Sequence, residues 1–168
     1  MATLLLSLDS PTWIPPNLDK TYIWVVKEPS STAIPTPYFI QPDILPYQSS
    51  TLKPERTQNH LLSLGILLLE LLFGQTLEEQ PERAGLMGPD GKPNRYTDLC
   101  TAIQWQEKVE LDVGDGLAEA IRRCLYCDFG VERDMGSASF VQAVLGNVVE
   151  PLKEFLRGWK TEAVVGAM

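Results

Sequence analysis

The sequence predicts a mainly α fold, α+β only through a few short strands, and three stretches carry that expectation. Between Leu61 and Phe73, ten of thirteen residues are large and apolar, so a helix there has no polar face and must be buried. From Asp9 to about Pro54 the chain holds most of its 13 prolines, which excludes long helices because proline lacks the N–H and clashes with the preceding turn. Beyond Ser137, apolar residues return every three or four positions, which is the helical period.

Taken in order, "TYIWVV" (Thr21 to Val26) is a β-branched and aromatic run of strand length, and "PYFI" reads as a second short extended piece. Thr57 or Asn59 is placed to cap the apolar helix and Gly74 to end it. The loop "GLMGPDGKPN" then leads into a helix over "RYTDLCTAIQWQEKVEL". Asp115 is expected to cap "GLAEAIRRCLYC", with Gly130 as its left-handed terminator. A last helix starts at Ser137 and presents Phe140, Val144, Val148, Leu152, Phe155 and Trp159 on one face; Pro151 should kink or split it. The expected layout is one domain: a Pro-rich loop and strand segment over 1–56, a helical part over 57–160, and a frayed tail over 161–168.

Composition narrows the function classes. A 168-residue chain with 44% hydrophobic residues suits a packed globule. The net charge of −8, with no cluster of Lys or Arg, lacks the electrostatic footprint of a nucleic-acid binder. The apolar run at 61–73 is shorter than the ~18–20 residues that span a bilayer, and Glu70 interrupts it, so no membrane insertion is expected. "MATLLLSLDS" lacks a basic n-region, and the 3 cysteines are an odd number; both point to a cytoplasmic protein with reduced thiols.

The stretch from His60 to Gly74 resembles the central F helix of the C-terminal lobe of protein kinases. In that pattern, Asp-x-Trp-Ser-x-Gly-x-x-Leu-x-Glu-Leu-x-x-Gly, six of the eight marked positions are matched, by Ser63, Gly65, Leu68, Glu70, Leu71 and Gly74. The order "SPTW", "SLGILLLELLFGQTLEE", "AIQW", "AIRRCLYCDFG" and "VVEPLKEFL" is similar to an uncharacterised fungal kinase-like domain family, often C-terminal in proteins linked to incompatibility and cell death. The resemblance implies a truncated kinase-like C-lobe built round a buried F-type helix, with Trp105 and Cys124 in family positions. It also implies that "LLLSLDS" ends an E-type helix and that "PTWIPPNLDK" is a degraded catalytic loop.

A working kinase needs a catalytic-loop Asp, magnesium ligands and a phosphate-binding lysine. Asp19 and Lys20 are the candidates in the loop, but no His-Arg precedes them and no Asn follows in place. Asp128-Phe129-Gly130 spells the magnesium motif on the wrong side of the F-like helix. His60 stands where the F-helix Asp would be, and a ring N–H could serve a structural hydrogen bond there. Cys124 and Cys127 have the spacing of a metal or redox pair, but four ligands or a strand-to-helix turn would be needed, so both are read as core packing inside a helix. Glu70 is read as a structural acid meeting a polar partner near the helix end, and the tryptophans as core fillers, with Trp159 the most exposed.

No catalytic, cofactor or metal residue is therefore expected. The reading is a non-catalytic, pseudokinase-like regulatory domain that binds a protein partner or itself through apolar surface left uncovered by the shortened lobe. The alternatives are half of a split phosphotransferase that needs an N-lobe from another chain, and a structural subunit of a larger assembly.

Overall fold

A computed structural model describes residues 20–25, 37–39, 54–94 and 96–165. The fold is mainly α. A 3-10 turn, Lys20–Tyr22, leads into β1 (Ile23–Val25), which pairs antiparallel with β2 (Pro37–Phe39). The helices are α1 (Pro54–Phe73), α2 (Thr97–Val113), α3 (Asp115–Tyr126), α4 (Ala138–Val144) and α5 (Glu150–Val165). The 3-10 segments Leu77–Glu79 and Pro81–Leu86 join α1 to the loop before α2. The expected E-type helix, the loop through Asp19, and Trp13 lie outside the described residues.

The all-apolar stretch hides at the centre of this bundle. α1 packs against α3 and α2, and different sides of it feed two clusters. In one, Leu61 and Leu64 meet Cys124, Cys127, Phe129, Phe140, Val144 and Val148. In the other, Leu69 meets Leu77, Trp105, Leu117, Ile121 and Leu125. Helix α3 divides its apolar residues between the two, so α1 and α3 are coupled along their length.

Gly65 sets how closely those two helices approach. A Cβ placed there would lie 2.7 Å from Leu125 Cδ2 and 3.2 Å from Cys124 Cβ, inside the contact distance of packed carbons. The absent side chain lets Leu125, itself 1% exposed, fill the space over the α1 backbone.

Several boundaries differ from the sequence reading. α1 starts at Pro54, where φ is already helical and the missing N–H is no loss, so Thr57 and Asn59 are interior residues rather than caps. Thr57 is fully buried, and its Oγ1 has no hydrogen-bond partner among the described residues. Asp115 occupies the first turn of α3, where its charge favours the helix dipole; Gly114, at φ 79°, holds the cap position.

α3 ends earlier than expected, and Gly130 is not its terminator. Cys127 adopts φ 51°, with its N–H on the Cys124 carbonyl and the Asp128 N–H on the Arg123 carbonyl. That pair of bonds is the Schellman arrangement, usually closed by glycine. A left-handed non-glycine residue costs about 1–2 kcal/mol; here the thiol is 1% exposed among the apolar side chains of the first cluster, which offsets the cost. Cys127 therefore lies just past the helix, not inside it.

Ser137 does precede α4, and Pro151 does interrupt the helical run beyond it. Between α4 and α5, Leu145–Val149 widens into a π turn, with the Glu150 N–H on the Leu145 carbonyl five residues back. The wider turn accommodates a proline that has no N–H to give and whose ring would strike the carbonyl four residues earlier. Phe140, Val144 and Val148 stay buried across the discontinuity. α5 runs on to Val165, into the stretch read as a tail, because no glycine or proline interrupts residues 159–165.

Candidate functional site

At the C-terminal end of α1 the apolar helix carries one carboxylate, and the polar residues of the region gather round it. Glu70 has 10% of its side chain exposed. Its Oε1 accepts hydrogen bonds from Lys20 Nζ at 2.6 Å and from the Leu77 N–H at 2.9 Å. The same ammonium donates to Glu78 Oε2 at 2.7 Å. One carboxylate thus joins the segment before β1, the helix α1, and the 3-10 turn after it.

Local sequence explains how the second carboxylate arrives there. α1 stops at Gly74, whose φ of +63° is easy only for glycine and whose N–H bonds the Glu70 carbonyl. Glu79 then accepts the Thr76 N–H at 2.8 Å, which folds "TLEE" into its turn, seats Leu77 in the core and places Glu78 beside Lys20. Burial lowers the affinity of Lys20 for its proton, but the bonds and charges of Glu70 and Glu78 outweigh it, and its pKa rises. The Lys20 hydrogen bond holds Glu78 below the usual carboxylate range.

Beside this junction is a cavity of about 120 Å³, walled by Lys20, Ser63, Leu67, Glu70, Glu78 and Asp98. Clefts that enclose drug-sized molecules run to about 300–1,000 Å³, so this one matches a single side chain in size. Arg83, from the second 3-10 segment, bonds Asp98 Oδ1 at 2.6 Å at its edge. On the outer side of α1, Leu71 is 77% exposed, one turn beyond Leu67.

The residues singled out by sequence fall into separate groups. Ser63 and Glu70 share the cavity; Gly65 and Cys124 meet at the α1–α3 crossing. Trp105 is buried with its ring 6.0 Å from that of Phe73, locking the end of α1 to α2. His60 is buried in the first half of α1, at 3% exposure. The side chains of Trp24 and Trp159 are outside the described set.

The suspected chemical motifs are occupied by packing. Burial pushes the Cys124 thiol, and less strongly the Cys127 thiol, toward the neutral form, the opposite of a reactive thiolate. Phe129 packs edge-on against Phe140 at 5.4 Å, and Asp128 Oδ1 accepts the Gly130 N–H, so "DFG" is a turn anchored by its ring. Among the described residues no three His, Cys, Asp or Glu side chains converge as a metal site, and no helix is long and apolar enough to cross a membrane.

Sequence reasoning found Glu70 and noticed Lys20, but not that they meet, because 50 residues separate them. Glu78 was missed altogether. The available signal was a basic residue and an acidic turn flanking an apolar stretch, Leu61 to Phe73, that carries a single acid.

No curated protein and no solved structure matches the chain. A family described as a domain of unknown function, DUF7580, matches residues 1–158. That match spans nearly the whole sequence, and the chain belongs to this family.

Proposed function

We propose that this chain is a non-catalytic, pseudokinase-like domain that works by binding another protein, as a regulatory or interaction module. The observation that carries the reading is the position of Lys20. It belongs to the segment that resembles a degraded catalytic loop, and its ammonium is committed to Glu70 and Glu78 instead of standing ready for a phosphate. Three of the six positions shared with the F-helix pattern have mechanical uses: Gly65 permits close packing, Glu70 gathers the junction, and Gly74 ends the helix. Partially exposed Leu67 and exposed Leu71 supply adjacent apolar contact for a protein surface.

The test is a thermal-unfolding titration with ATP and Mg²⁺, run beside a phosphotransfer assay on a generic protein substrate. A ligand that binds only the folded state raises apparent stability. The expected result is an unchanged Tm and no transfer. A magnesium-dependent rise with transfer of phosphate would overturn the proposal and favour an enzyme.

A further inference from the structure

Among the described residues, both apolar clusters are built between Leu61 and Phe155. Among the described residues, the backbone of the ribbon formed by β1 and β2 runs along none of the helices, and two three-residue strands are marginal by themselves. At the foot of that ribbon, Lys20 bridges to two different parts of the helical body, Glu70 on α1 and Glu78 on the following turn. The helical body has buried apolar clusters of its own, and the link described at the foot of the ribbon is one of charge.

We propose that Lys20 is an ionic strap: its bonds to Glu70 and Glu78 hold the β1–β2 ribbon against the helical body, and their opening frees the ribbon without unfolding the body. Glu70 is nine-tenths covered while Lys20 and Glu78 are 38% and 57% exposed, so ions and water reach the ammonium more readily than the inner carboxylate. The strap is therefore sensitive to salt, which screens exposed pairs over ~10 Å or less. When it opens, the wall of the cavity formed by Ile66 and Leu67 joins the exposed Leu71 as one apolar strip on α1. The use of that strip for a partner rests on the interaction reading above; the strap itself does not.

Amide hydrogen exchange followed by mass spectrometry tests the strap on the isolated chain, with no partner or nucleotide. In Lys20→Met, exchange at Ile23–Val25 should speed up about tenfold, the effect of losing two partly exposed ion pairs. Exchange in α3 should change less than about twofold. Lys20→Arg, which keeps the charge, should behave like the parent. Raising NaCl from about 0.05 M to about 1 M, which shortens the screening length from more than about 10 Å to about 3 Å, should speed ribbon exchange in the parent and not in Lys20→Met.

Unchanged ribbon exchange in Lys20→Met would overturn the strap. So would an equal loss of protection in α3, which would make Lys20 part of the global fold. Nucleotide binding in the thermal titration would overturn the interaction reading and leave the strap untouched.

Discussion

Two places on α1, five residues apart in sequence, hold the molecule in opposite ways. At Gly65 the helix meets α3 by shape: no side chain on one helix, a buried leucine on the other, and 2.7 Å between Leu125 Cδ2 and where a Cβ would be. At Glu70 it meets its surroundings by charge, through an ammonium and a backbone N–H on one oxygen. The apolar crossing is indifferent to salt and pH but intolerant of volume. The polar junction tolerates shape changes and answers to ionic conditions.

The largest expected effect is in the shape-held region. Phe140 is fully buried and carries the edge contact with Phe129. Phe140→Ala should cost about 3–5 kcal/mol of unfolding free energy, measured by urea denaturation, with a salt dependence like that of the parent. A loss below about 1 kcal/mol would mean that the cluster around Cys124 collapses readily into the space.

Next comes the crossing itself. Gly65→Leu should destabilise by about 3 kcal/mol, because a packed interior admits extra methylenes only by displacing backbone or rotamers. Gly65→Ala should cost less: its single Cβ meets the end of a leucine side chain, and alanine recovers up to about 1 kcal/mol of helix propensity. If both variants matched the parent in Tm, the helices would not approach as closely as 2.7 Å implies.

Smaller still is the junction. Glu70→Gln keeps the shape and an acceptor but removes the charge shared by Lys20 and the Leu77 N–H, a loss of about 1–2 kcal/mol for charge-assisted bonds in a partly covered site. Unlike the two substitutions above, its effect should shrink as NaCl is raised. An effect independent of salt would assign Glu70 to packing.

The smallest effect is the pH response of the same junction. Glu78 sits below its ordinary value of 4.5, so its contribution is complete above that value and fades as pH falls through the lowered one. Lys20 sits above its ordinary value of 10.5, so its contribution is complete below 10.5 and fades as pH rises through the raised one. The charges facing this pair are Glu70, Asp98 and Arg83. Protection of the β1–β2 amides, taken relative to their intrinsic base-catalysed exchange at each pH, should therefore be greatest between these limits and fall toward both; protection unchanged from about pH 3.5 to 7, roughly one unit below the usual carboxylate range up to neutrality, would remove Glu78 from the junction.

Much of the architecture could be read from the chain because it is local. The burial of α1 follows from Leu61 to Phe73 having no polar face, its end from Gly74, and the break before α5 from Pro151. A misreading came where two local signals competed. Gly130 looked like the terminator of α3, yet Cys127 took the left-handed position three residues earlier, because burial of its thiol outweighed a backbone preference that sequence alone would favour.

The candidate site was half legible. A lone acid in the apolar stretch of α1 announces that a partner exists, since an unpaired buried charge is costly, but it does not say which of the 14 basic residues supplies it. Residue order was enough to say where the backbone turns helical, where it stops, and that α1 must be covered. Packing in three dimensions settled that Lys20 and Glu78 close on Glu70, that Gly65 faces Leu125, and that β1 finds β2. Backbone preferences act over a few neighbouring residues, whereas contacts between residues 50 or 60 apart exist only once folding has brought those surfaces together.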